Sequence, residues 1–218
     1  MFNLCIHQSI RLFAMSLCLI INLSLPQAHA GENSPLQQQT ILVVGDSISA
    51  GFGIDKDLGW VALLGQRLES KFTQYALVNA SISGETTSGG ANRFSSMLQQ
   101  HQPNVVILEL GGNDGLRGTP IKLITQNLTY IIRASQKAGA QVLLLGMRIP
   151  PNYGQRYSEL FADQYLTIAA ELNVPVLPFL LEGIAAEAGM MQADGIHPTE
   201  NAQPIMTKNV WQMLKPML

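Results

Sequence analysis

The sequence predicts an α/β fold: a three-layer α/β/α sandwich around a five-stranded parallel sheet. Short apolar runs alternate along the chain with segments whose apolar residues recur every three or four positions, which is the pattern of strands alternating with helices. The apolar runs are not interrupted by polar residues at every second position, so each strand needs cover on both faces. Strand–helix–strand order then implies right-handed crossovers and a parallel sheet with helices on each side.

The elements follow in order. Ile41-Leu42-Val43-Val44, ending at Gly45, is the first strand, and Trp60, Leu64 and Leu68 mark one face of the first long helix. Ala76-Leu77-Val78 is the second strand, followed by a Gly/Ser/Thr loop and a helix from about Ala91 to Gln100. Val105-Val106-Ile107-Leu108 is the third strand and runs into Gly111-Gly112. Ile121, Ile124, Leu128 and Ile131 form a helical stripe that closes at Gly139, and Val142-Leu143-Leu144-Leu145 is the fourth strand. A helix from about Tyr157 to Leu172 leads to Val174-Pro175-Val176-Leu177, where the proline marks an edge strand. The last helix runs from about Ala202 to Leu214.

The first 30 residues have a different character. Arg11 precedes a 14-residue, mostly apolar run from Leu12 to Leu25, followed by Pro26, Gln27 and Ala28-His29-Ala30. This is the three-part pattern of a cleaved secretory signal peptide, and the run is shorter than the ~20 residues a membrane span needs. Removing 30 of the 218 residues leaves 188, with the charge moving from −2 to −3 because Arg11 is the only charged residue lost. The reading is therefore a signal peptide over 1–30, a polar lead-in over 31–39 and a single domain over 40–218. Localisation is expected to be periplasmic or secreted, with no stable membrane anchor after cleavage.

Composition narrows the function. With 47% hydrophobic and only 13% charged residues, the chain is neither disordered nor a coiled coil. Scattered charges give no basic patch for nucleic acid and no polybasic surface for membranes. Cys5 and Cys18 both lie in the leader, so the domain has no thiol nucleophile and no disulfide. Of four histidines only His101 and His197 remain, too few for an ordinary zinc site. No cofactor or metal is expected.

In such a fold, ligands bind beyond the carboxyl ends of the strands, where strand order reverses. Three polar clusters follow the first three strands: Gly45-Asp46-Ser47-Ile48-Ser49, Ser83-Gly84-Glu85-Thr86 and Gly111-Gly112-Asn113-Asp114. A fourth, Asp194-Gly195-Ile196-His197-Pro198, precedes the last helix. A serine hydroxyl needs a base within hydrogen-bond reach to become a nucleophile. His197 suits that role because imidazole titrates near neutrality, and Asp194, three residues earlier, can fold back onto its far ring nitrogen. His101 sits at a polar helix end on the opposite side of the sheet. Asp46, Asp114, Ser49 and Glu109 are expected to serve local hydrogen bonds, and Asp55, Lys56 and Asp57 to form a solvated loop. Ser49 replaces the second glycine of a Gly-x-Ser-x-Gly elbow, which excludes an ordinary α/β-hydrolase.

Together, and in this order, the four clusters resemble the GDSL hydrolases, also called the SGNH superfamily, from Ile41 to the C-terminal helix. The name letters fall on Ser47, Gly84, Asn113 and His197. The stretches Asn79–Gly84, Glu109–Gly118 and Asp194–Pro198 are similar to one branch, the periplasmic acyl-CoA thioesterases, lysophospholipases and arylesterases. Ile48 stands where the family name has leucine, and Glu85 where aspartate is common. The resemblance implies a flavodoxin-like SGNH fold and a catalytic Ser47–His197–Asp194 set. It also implies an oxyanion hole from the N–H groups of Ser47 and Gly84 and the side chain of Asn113. The expected function is a serine esterase or thioesterase that forms an acyl-enzyme on Ser47 and acts on small acyl esters and thioesters, as a monomer. Leu116 and Arg117 after the third strand, and Ile149, Pro150 and Tyr153 after the fourth, are the candidate substrate contacts. A carbohydrate O-deacetylase of the same superfamily and a non-catalytic acyl- or flavin-binding envelope protein are the alternatives.

Overall fold

The computed structural model, which describes residues 38–218, places the five apolar runs in one parallel sheet. Its strands are β1 (Gln39–Gly45), β2 (Tyr75–Asn79), β3 (Val105–Glu109), β4 (Gln141–Leu145) and β5 (Val176–Leu177). The helices are α1 (Ser47–Ala50), α2 (Trp60–Lys71), α3 (Thr87–His101), α4 (Gly112–Leu116), α5 (Ile121–Lys137), α6 (Gln155–Leu172) and α7 (Gln203–Leu214). The leader expected over residues 1–30 lies outside the described residues, as does the lead-in as far as residue 37. Gln39, assigned to that lead-in, already belongs to β1, where its N–H donates to the Gln74 carbonyl at 2.7 Å.

Strand order is β2-β1-β3-β4-β5. The chain steps outward from β1 to β2 and then returns to the other flank of β1 as β3, so the order reverses between β1 and β3. Register puts Gly45, the last residue of β1, beside Glu109, the last residue of β3. The loops after both strands therefore open into one crevice. Helices α3, α5 and α6 pack side by side, while α2 packs against α7. Ile41–Val44, Val106–Leu108 and Leu143–Leu145 are fully buried, as expected for strands covered on both faces.

Several element boundaries differ from the sequence expectation, and two of the differences have a clear physical reason. Helix α3 starts at Thr87, four residues before the expected Ala91, because Thr86 caps it by accepting the Gly89 N–H at 3.2 Å. Ser88, Gly89 and Gly90 are poor helix formers, but a Cβ at Gly90 would lie 2.4 Å from Leu110 Cδ1. The packing there requires the glycine that made the segment resemble a loop. Strand β5 keeps only two of the four expected residues. Pro175 lies before it and contributes only its carbonyl, which accepts the Leu144 N–H at 3.0 Å. Among the described residues, no helix is long and apolar enough to cross a membrane.

Candidate active site

Ser47 leaves the tip of β1 as the first residue of α1, a single turn. Asp46 caps that turn, its Oδ1 accepting the Ile48 N–H at 3.0 Å. Because the turn is fixed to a sheet strand, the hydroxyl has a defined direction. His197 and Asp194 come from the far end of the chain, on a short hairpin-like turn. The Gln192 N–H donates to the His197 carbonyl at 2.7 Å, and the Thr199 N–H to the Met190 carbonyl at 2.8 Å. Within the turn, Asp194 Oδ1 accepts the N–H groups of Ile196 and His197 at 2.9 and 3.0 Å.

The three side chains lie in series. His197 Nε2 is 2.9 Å from Ser47 Oγ, and His197 Nδ1 is 2.6 Å from Asp194 Oδ2. The hydrogen bond from the His197 ring, followed by those from the two backbone N–H groups, holds the Asp194 carboxyl down at about 2. Asp194 is therefore ionised at neutral pH and can only accept, which assigns the ring proton to Nδ1. Nε2 is left as the acceptor facing the serine hydroxyl, the arrangement a general base requires.

Asn113, near the start of α4, faces the same turn from the end of β3. Its Nδ2 donates to Asp46 Oδ2 at 3.2 Å and to the Glu85 carbonyl at 3.0 Å. Gly84 precedes Glu85 in an exposed loop with φ of +82°, the left-handed region that glycine enters without strain. The Glu85 carboxylate pairs with Arg93 on α3. The longer side chain found where aspartate is common thus anchors the loop to the next helix.

The neighbouring polar residues reach farther than a local role implies. Asp114 does not serve its own turn: it accepts the N–H and Oγ–H of Thr87 at 2.7 and 2.9 Å, tying α4 to the start of α3. Ser49 donates from Oγ to Glu109 Oε2 at 2.6 Å, and the Asp46 N–H donates to the same oxygen at 3.2 Å. Glu109 is fully buried, with no partner on Oε1 among the described residues. Burial, reinforced by the nearby Asp46 charge, pushes its carboxyl well above the usual range. Burial likewise raises Asp46 to about 6, against the opposing pull of the Ile48 N–H, His197 and Asn113. His101, at the C-terminus of α3 just before β3 begins, lies at the other end of the sheet.

Ser47 and His197 open onto a cavity of about 500 Å³. Leu116, Ile149 and Pro150 line it, whereas Arg117 and Tyr153 do not. The Arg117 guanidinium instead donates to the Gly84 carbonyl at 3.4 Å, and Tyr153 is exposed on the 3₁₀ turn Pro151–Tyr153. The rest of the apolar wall comes from Ile48, Met147, Phe179, Leu181, Ala185, Met191 and Ile196. Arg148 sits at the cavity with its guanidinium 4.9 Å from the Phe179 ring centroid. Several of these wall residues belong to the segment between β5 and the His197 turn, which has no strand or long-helix pattern to mark it.

Comparison with known proteins agrees with this geometry. The chain is 49% identical over 208 residues to "Esterase TesA" of Pseudomonas aeruginosa PAO1, covering 95% of this chain and all of that one. It is 43% identical over 179 residues to "Thioesterase 1/protease 1/lysophospholipase L1" of Escherichia coli K12, covering 82% of this chain and 85% of that one. A crystal structure titled TesA superposes with a TM-score of 0.80 at 52% identity, covering 83% of this chain and all of the other. The family model for the GDSL-like lipases and acylhydrolases matches residues 43–203, a span holding every side chain of the site just described. On sequence, fold and site alike, the chain belongs to the GDSL-like lipase/acylhydrolase family.

Proposed function

We propose that this protein is a serine hydrolase of acyl esters and thioesters, with Ser47 as nucleophile, His197 as general base and Asp194 as its orienting carboxylate. The observation that carries the reading is the unbroken Oγ–Nε2–Nδ1–Oδ2 series at 2.9 and 2.6 Å, opening into an apolar cavity. As Ser47 Oγ attacks the acyl carbonyl, its proton passes to His197 Nε2, and Asp194 stabilises the imidazolium. Collapse of the tetrahedral intermediate returns that proton to the departing alcohol or thiol, leaving the acyl group on Ser47. Water then attacks the acyl-enzyme with the same base and releases the acid.

The intermediate's oxyanion would be held by the N–H groups of Ser47 and Gly84 and by Asn113 Nδ2. Asn113 Nδ2 donates to Asp46 Oδ2 and to the Glu85 carbonyl, so it joins by turning away from one of these two acceptors. Leu116, Ile149 and Pro150 would contact the acyl chain. The size and apolar lining of the cavity favour acyl chains well beyond acetyl, and so favour this reading over a carbohydrate deacetylase. The signal-like leader supports a periplasmic or secreted enzyme; a monomer acting on small acyl substrates is part of the same proposal. A hydrolysis panel across acyl length and leaving group, run with wild type and Ser47→Ala, tests the proposal. Activity rising from acetyl to medium-chain esters and lost in the variant is expected. Undiminished turnover by Ser47→Ala, or a strict preference for acetyl, would overturn it.

A further inference from the structure

Phe52 is an exposed aromatic side chain, about half accessible, placed against the ring of His197. The two centroids are 4.5 Å apart with the planes inclined at 40°. Three local devices hold it there. Gly51 and Gly53 flank it with φ of +72° and +74°, turning the chain so that the phenyl ring meets the imidazole. Gln192 Nε2 donates to the Phe52 carbonyl at 2.9 Å, while the Gln192 N–H donates to the His197 carbonyl at 2.7 Å. One residue thus fixes both partners relative to each other. A Cβ at Gly53 would come within 2.3 Å of Gln192 Oε1, so that glycine is required for the latch to close.

Leaving a phenyl ring half in water gains little from burial, and such specific fixation needs another reason. Both nitrogens of His197 are already engaged in the ring plane, leaving the faces free. An aromatic ring within about 6 Å of a cation attracts it through its quadrupole and has far weaker attraction for the neutral form. His197 carries a positive charge while Ser47 is being acylated or deacylated. We propose that Phe52 is a positioning residue for His197, its ring favouring the imidazolium that forms in the transition state over the neutral imidazole of the resting enzyme. This rests on the hydrolase mechanism above and deepens it: an interaction stronger in the transition state than in the ground state raises kcat.

The other charged or titratable groups facing His197 are Asp194 on its own turn, Asp46 at the foot of α1 and Arg148 across the cavity. None changes when Phe52 is replaced. The test compares Phe52→Leu, which keeps apolar cover without the quadrupole, with Phe52→Trp, which strengthens it. The His197 pKa is read by NMR titration in the Ser47→Ala background, which needs no activity, and kcat and KM are read for butyryl and octanoyl p-nitrophenyl esters. Phe52→Leu is expected to lower the His197 pKa by about half a unit and kcat by about two- to five-fold with KM unchanged. Phe52→Trp should preserve or raise both.

An unchanged or raised pKa in Phe52→Leu would make the ring a desolvating lid and overturn the proposal. A rise in KM alone would make Phe52 a substrate contact and overturn it equally. A wild-type enzyme indifferent to Ser47→Ala would instead refute the hydrolase reading, so the two failures are distinguishable.

Discussion

Replacing Asp194 by Asn should disable His197 while leaving its position intact. In the native turn, Asp194 Oδ1 accepts two backbone N–H groups, and Oδ2 accepts the proton of His197 Nδ1 at 2.6 Å. The backbone donors need an acceptor, so the asparagine carbonyl takes the Oδ1 place and its NH₂ faces Nδ1. Two donors cannot share that contact, and the imidazole shifts its proton to Nε2. Nε2 can then no longer accept from Ser47. The same exchange in a Ser-His-Asp protease lowers kcat by about 10⁴, or about 5 kcal/mol of barrier. Here the Asp194 side chain is 39% exposed, and water screens part of that effect, so a loss of about 10³–10⁴ is expected. The assay is p-nitrophenyl butyrate hydrolysis at saturating substrate, with circular dichroism as the control for folding. A loss of less than tenfold in a folded variant would refute the tautomer argument.

Other perturbations probe the surroundings. Asn113→Ala should lower kcat by about 10²–10³ with little change in KM, since an oxyanion donor acts mainly in the transition state; steady-state kinetics checks this. Glu109→Gln should leave activity close to wild type and cost little thermal stability, because its amide oxygen can still accept the Ser49 hydroxyl and the Asp46 N–H. Glu109→Ala strands the Ser49 hydroxyl and Asp46 N–H, at about 1–3 kcal/mol for each buried unpaired group, and melting temperatures separate the two variants. Asp46 is raised from 3.8 in the unfolded chain to about 6 in the fold. The stability it contributes is complete below 3.8 and is lost as pH rises through 6. Asp46→Asn, which can still cap α1, should therefore flatten the decline in melting temperature between pH 4 and 7. Asp194 works in the opposite sense, its contribution disappearing only as pH falls toward 2, outside that window.

What the sequence revealed and what it hid follow from how far each feature reaches along the chain. Strands such as Val105–Leu108 are legible because burial on both faces leaves an uninterrupted apolar run. The Asp194–His197 pair is legible for a similar reason, as both partners share one turn. Ser47 and Asn113 stand directly after such strands, so topology alone brings them to one crevice. The start of α3 was hidden because packing against Leu110 selects glycine at a helical position. Arg117 and Tyr153 occupy the expected loops, yet the wall beside Ile149 comes from Phe179 and Leu181 in an irregular segment. The Gln192–Phe52 latch spans 140 positions and the Ser49–Glu109 bond spans 60. Neither leaves a periodic trace in the sequence. A glycine on each side of an aromatic, as in Gly51-Phe52-Gly53, is the one cue to the former.

Labelling with a fluorophosphonate, read by intact mass and peptide mapping, tests most directly whether Ser47 is the activated nucleophile. One adduct per chain is expected, on Ser47, absent from Ser47→Ala and strongly slowed in His197→Ala. An adduct on another residue, or labelling that survives both substitutions, would contradict the account.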